Sequence, residues 1–138
     1  MLLVHDIDAT LQFYTSGFGM STLLDCGEGS GRMVQLGHGG MEGELWLLAA
    51  ETEAQRAKVG LQGREVPLGV IYSADIQQDL RRLSGLGQEP KGGIVKDGDG
   101  ALHCRIPDLY GNLWVLAQLA VAGEKPVTRR KTAARKAA

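Results

Sequence analysis

Short apolar runs alternate along the chain with polar, glycine-marked breaks, and two segments carry helical rather than strand spacing. Met1 to Val4 reads as a strand. Asp6 or Asp8 then offers a helix N-cap ahead of Ile7, Leu11, Tyr14 and Phe18, which recur at the spacing of one helix face. Gly17 and Gly19 close that helix. Ser21 to Cys26 and Arg32 to Leu36 predict two strands joined through Gly27, Gly29 and Gly31. A second glycine cluster, Gly37 to Gly43, leads into a strand over Glu44 to Ala50. Glu51 to Glu65 is polar and aperiodic, a connector with room for one short helix. The order then restarts with a strand over Leu68 to Tyr72, an N-cap at Asp75, and the helical stripe Ile76, Leu80 and Leu83 closed by Gly85 and Gly87. Ile94 to Lys96 and Ala101 to Ile106 form the arms of a hairpin turning at Asp97-Gly98-Asp99-Gly100, and Asn112 to Gln118 is the last strand.

The chain is thus a pattern stated twice. Gly43-Glu-Leu-Trp-Leu-Leu-Ala49 and Gly111-Asn-Leu-Trp-Val-Leu-Ala117 share five of seven residues, both tryptophans included, at an offset of 68. Asp6-Ile7 and Asp75-Ile76, with Leu11 and Leu80, repeat at 69. Each half is too small to bury its own sheet face, so the two must share one structure. The expected fold class is α+β with two βαβββ modules, module one over 1–50 and module two over 67–120, joined by a connector over 51–66. Together they form one domain over 1–122, followed by a basic tail over 123–138.

Composition narrows the class. With 138 residues, 43% hydrophobic and 22% charged, the chain is ordinary for a globular domain, and its 20 glycines suit a turn-rich, strand-rich fold. No apolar run approaches the roughly 20 residues of a membrane span, and Met1 to Val4 is too short for a signal-peptide core. Cys26 and Cys104 lie outside any CxxC, which with no export signal points to free thiols and a cytoplasmic location. The net charge of -1 conceals an uneven distribution: residues 1–124 hold nine basic and all sixteen acidic residues, and the tail adds six basic ones. That tail is too poor in large apolar residues to fold alone. It could solubilise, fold back on the acidic body, or contact nucleic acid or anionic lipid through counterion release.

Two stretches carry a family resemblance. Val4-x-Asp6-Ile7 followed by Phe13-Tyr14-x-x-x-Phe18-Gly19 is similar to the opening strand and helix of the vicinal oxygen chelate superfamily, which holds glyoxalase I, extradiol dioxygenases, fosfomycin-resistance transferases and bleomycin-resistance proteins. Asp108-Leu109-Tyr110-Gly111-Asn112-Leu113 resembles the family's Asp-Pro-Tyr-Gly-Asn turn, with Leu109 where proline is usual. The resemblance spans residues 1 to about 120 and implies that the strands curl into a curved mixed sheet forming a cup. It also implies metal ligands at four equivalent cup-facing positions in the metal-dependent members. Here the last-strand position is Val115, its partner by the tryptophan repeat is Leu47, the first-strand position of module two is Leu68, and the fourth falls ahead of Met1. Leucine and valine have no lone pairs to offer, so neither a metal nor another cofactor is expected at these positions.

The cup is then expected to be lined by Leu45, Leu47, Leu68, Val70, Leu113 and Val115, with Trp46 and Trp114 on the opposite face packing under the helices. His103 and Arg105 share one strand face, where they either bind an anionic or polar ligand or point outward at an edge. Cys104 points away from His103, which argues against a Cys-His nucleophile pair. The expected function is a metal-free protein that binds or sequesters a small organic ligand in an apolar cup, acting as a homodimer as family members commonly do. Two alternatives stand beside it: a lyase, isomerase or dioxygenase with a displaced site including His5, Glu44 or His103, and an interaction module whose tail binds nucleic acid.

Overall fold

The computed structural model of the chain describes residues 1–28, 31–41 and 43–120; the expected tail over 123–138 lies outside the described residues. Module one runs β1 (Leu2–Val4), α1 (Ile7–Gly17), β2 (Ser21–Cys26), β3 (Met33–Gly37) and β4 (Leu45–Ala49). A short helix in the connector, α2 (Glu53–Lys58), leads to module two: β5 (Val70–Tyr72), α3 (Ile76–Ser84), β6 (Lys91–Lys96), β7 (Leu102–Pro107) and β8 (Leu113–Gln118). Each module forms one four-stranded mixed sheet, ordered β1-β4-β3-β2 and β5-β8-β7-β6, with a parallel pair between its first and last strands. The two sheets remain separate rather than closing into one barrel.

Local chemistry explains where the elements begin. Asp6, not Asp8, caps α1 by accepting from the Ala9 amide at 3.0 Å, and Asp75 caps α3 by accepting from Gln78 at 3.2 Å. Thr52 and Gln55 form a reciprocal capping box that starts α2 inside an otherwise polar connector. Strand β6 begins earlier than Ile94, at Lys91, through an irregularity in its pairing with β7. Strand β5 is shorter than its apolar run, because Leu68 lies before it, although the Leu68 amide still bonds the Leu113 carbonyl at 2.8 Å.

One core serves both modules. Leu2, Val4, Val34, Leu36 and Leu47 from the first sheet join Ile71, Cys104, Ile106, Trp114 and Leu116 from the second in a single buried cluster, bridged by Phe13, Tyr14 and Phe18 of α1 and by Ile76, Leu80 and Leu83 of α3. The helices can meet because α1 ends on Gly17: a Cβ there would come within 2.9 Å of Leu83. Arg82 locks the crossing by donating from Nε to the Gly17 carbonyl at 3.1 Å. The outer edges of the first strands are also covered. The Gln62 side chain accepts from the Leu3 amide at 2.8 Å and donates to the Met1 carbonyl at 3.0 Å, as a neighbouring strand would, while the Gly40 carbonyl accepts from the Tyr72 amide at 3.0 Å.

The turn before β8 ties the modules by polar bonds. Asp108, almost fully buried, accepts from the Tyr14 hydroxyl at 2.5 Å, the amides of Tyr110 (2.8 Å) and Asn112 (2.9 Å), and the Asn112 side chain at 3.2 Å. Tyr14 Oη in turn accepts from Trp114 Nε1 at 3.2 Å, and Asn112 Oδ1 accepts from the Gly63 amide at 2.8 Å. Gly111 turns the chain at φ 94°, a conformation that favours glycine. Burial first, and the adjacent Asp108 carboxylate second, hold the Tyr14 hydroxyl well above the ordinary tyrosine pKa. A native pKa above the unfolded value of about 10 means that this group's contribution is intact below pH ~10 and lost as pH rises beyond it. Tyr14→Phe should therefore start less stable at neutral pH but lose less stability than wild type between about pH 9 and 11, read from urea midpoints.

Candidate functional site

The face of each sheet that turns away from the helices carries the candidate site. In module two, strand register places Lys91, Arg105, Val115 and Val70 in one cross-strand row, and Val95, His103, Ala117 and Tyr72 in the next. Val70 is 38% exposed, Tyr72 45% and Val95 48%, so this face is apolar and open, with a basic end. In module one the corresponding rows are Leu24, Gln35 and Trp46, then Cys26, Met33, Leu48 and Leu3. None of these module-one residues belongs to the shared core. An alternating strand exposes every second residue to the same side, so both outer faces follow from the burial of the intervening positions.

This register corrects half of the expected lining. Leu47 is 0% exposed and packs in the shared core, and Leu45 and Leu68 pack against that core. Val70, Val115 and Arg105 do lie side by side, with His103 in the adjoining row. Leu113 is nearly buried at the far end of the same strand face, where it walls a groove of about 540 Å3 with Arg64, Lys91, Pro107 and Tyr110. The expectation that both tryptophans pack under the helices holds for Trp114, whose ring lies 6.2 Å from that of Tyr14 and 6.1 Å from that of Phe18. It fails for Trp46, which is half-buried on the outer face.

The cause is a one-residue slip. Leu2 pairs with Leu47 and Ile71 with Leu116, so the modules superpose at an offset of 69, the offset of the helix caps. The five-of-seven match at 68 aligns the glycines but not the faces of the strands. Counted from glycine to the matching core side chain, Gly111 to Trp114 is one step longer than Gly43 to Leu45; the additional residue belongs to the turn that buries Asn112. Trp46, not Leu47, is the structural counterpart of Val115. The residues sequence reasoning missed are therefore Trp46, Leu48, Tyr72, Lys91 and Arg64, and the Asp6 and Asp75 caps held the signal for the first two.

Side chains at the family's ligand positions do not fit a metal centre. Val115, Trp46 and Leu68 carry no carboxylate, imidazole or thiolate. Nor do the alternative residues converge: His5 packs edge-on to Tyr110 at 5.5 Å, Glu44 is exposed ahead of β4, and His103 Nε2 lies 3.3 Å from Asp97. His38 accepts from the Gly40 amide through Nδ1 at 2.8 Å. Among the described residues no three histidine, cysteine, aspartate or glutamate side chains form a group that could hold a metal ion.

Cys104 sits in the core on the face opposite His103, and burial pushes its thiol up to about 11. Cys26 lies half-buried on an edge strand, within closer reach of a reagent than Cys104. A chromogenic disulfide reagent at pH 8 should titrate one thiol in the native protein and the second only in denaturant, and Cys26→Ser should abolish the native reaction.

No helix of the described residues is long and apolar enough to cross a membrane. A search of curated proteins finds no match. Among solved structures, TioX from Micromonospora sp. ML1 superposes with a TM-score of 0.62 at 21% identity, over 89% of this chain and 95% of that one. TnmS3, an antibiotic-binding protein from Streptomyces sp. CB03234, superposes with a TM-score of 0.63 at 21% identity, over 86% and 91%. A Glyoxalase/bleomycin resistance protein/dioxygenase superfamily member from Sphaerobacter thermophilus DSM 20745 gives 0.64 at 18% identity, over 86% and 92%. Those likenesses establish the fold, and a family model matching residues 1–116 establishes the lineage: the chain belongs to the Glyoxalase/Bleomycin resistance protein/Dioxygenase superfamily.

Proposed function

We propose that this protein is a metal-free binder of a small organic molecule, holding its ligand against the outer sheet faces and sequestering or carrying it rather than transforming it. The observation that carries this reading is the pair of open apolar faces, Trp46 with Leu48 and Leu24 on one sheet and Val70 with Val115 and Tyr72 on the other. Apolar surface of this extent on two sheets is the usual mark of a ligand or partner site. The antibiotic-binding description of TnmS3 supports the same ligand class. Each face is open on its own, and a homodimer that sets the Trp46 face of one copy over the Val115 face of another encloses a cavity neither has alone. The protein works in the cytoplasm in this reading, and the basic tail is a solubilising appendage.

Elemental analysis of protein purified without chelator tests the metal-free part; one tightly held divalent ion per chain would overturn it. Light scattering during gel filtration tests the pairing. Wild type should elute as a dimer and Val70→Lys, which puts a charge in the apolar row, as a monomer of unchanged circular dichroism. Apolar antibiotics should quench the Trp46 contribution to fluorescence in wild type and leave Trp46→Phe unquenched.

A further inference from the structure

We propose that the groove at the basic end of the module-two face is a subsite for the carboxylate of an apolar organic acid. The inference rests on the small-molecule reading above and narrows its ligand to an anion. Residues 1–124 carry nine basic against sixteen acidic residues, so a basic cluster here runs against the composition of the body. Yet Lys91 and Arg105 stand directly opposite each other across the β6–β7 pair, and neither forms an ion pair with the described residues. Like charges at opposed positions destabilise a sheet, so the pair lacks a structural reason and gains one if an anion lies between them.

Arg64 supplies the third cation. It lines the same groove as Lys91, and its Nε donates to the Gly60 carbonyl at 3.1 Å. Its Nη2 stands close beside Gly111, 3.4 Å from where a Cβ would lie, so the guanidinium is laid against a glycine. Fixed by one bond, the fork keeps its remaining donors for a planar, bidentate acceptor, which a carboxylate matches. The two acids at the groove are already engaged: Glu89 accepts from the Ser84 hydroxyl at 2.5 Å, and buried Asp108 holds its four donors. Leu113 walls the groove, and Val115 continues its strand face toward the open apolar row, giving the hydrocarbon body of such an acid a place to lie.

The test uses the full chain and two probes of one shape, 2-naphthoate and 2-naphthalenemethanol, titrated calorimetrically at low and high salt. Wild type should prefer naphthoate by about tenfold at low salt, a preference that shrinks as salt rises. Lys91→Glu replaces the like-charge pair with an opposed one, so it should fold with an undiminished Tm and lose the preference for naphthoate over the alcohol. Arg64→Lys keeps the charge without the fork and should reduce the preference severalfold. Equal binding of the two probes by wild type, or a preference unchanged in Lys91→Glu, overturns the anion subsite and leaves the apolar binding face standing. Absence of binding by either probe overturns both.

Discussion

Replacing Trp114 with alanine should cost about 3–5 kcal/mol of folding stability, whereas the same change at Trp46 should cost about 1 kcal/mol or less. The two tryptophans sit in the repeated heptapeptides, and sequence similarity assigns them one role. Geometry assigns them two. Trp114 is buried to 3% exposure among Tyr14, Phe18 and Ile106, and it donates to Tyr14 Oη, so truncation leaves a large cavity and takes from the buried Tyr14 oxygen the donor it accepts from. Trp46 stands outside the core, opposite Gln35 on the outer face. Its loss removes partly exposed surface that the native fold does not need. Urea midpoints at one fixed protein concentration compare the variants, since any self-association makes stability depend on concentration. Equal destabilisation by the two substitutions would contradict the register. Trp46→Ala should instead show its effect in association and in the binding of apolar probes.

Asp108→Ala should be comparably severe, roughly 3–5 kcal/mol, because a single carboxylate accepts four donors from three residues in a site closed to water. Tyr14→Phe removes one of those donors and should cost about 1–2 kcal/mol. The double variant should be less destabilised than the sum, since the Tyr14 bond is already lost when Asp108 is gone. A strictly additive result would mean that the bond between α1 and the β8 turn contributes nothing. The turn motif that carries the family resemblance is thus explained by bonding: Asp108 gathers the amides, Gly111 permits the reversal, and Asn112 reaches to Gly63 in the connector.

Most of the architecture was legible in the sequence because its signals are local. An aspartate ahead of a helical stripe fixes a helix start wherever the remainder of the chain goes, and both such caps fell where expected. The order of strands followed from apolar runs between glycines. Which side chains stand on the open outer faces was only half legible, for a different reason. In a strand one residue of slip exchanges the two faces, and β4 is uniformly apolar, so alternation gave no guide to which side Leu47 takes. Identity at five of seven positions was the stronger-looking signal and the wrong ruler. The caps, two conserved distances from the first strands, measured the repeat correctly. The groove was invisible for want of long-range information: Arg64 in the connector, Lys91 on β6 and Tyr110 in the β8 turn meet only once both modules are folded.

The bridge that Gln62 makes to β1 restricts how copies of this chain can assemble. A side chain already occupies the donor and acceptor that β1 would present to a neighbouring strand, and the Gly40 carbonyl takes the equivalent donor of β5. Main-chain annexation by a second molecule is blocked at those two borders. Among the described residues no strand pairs with the outer edges of β2 and β6, at the opposite margins of the two sheets. Growth into fibres or continuous sheets has to begin there, so a proline or an added lysine on β2 or β6 is the economical route to a less aggregation-prone variant.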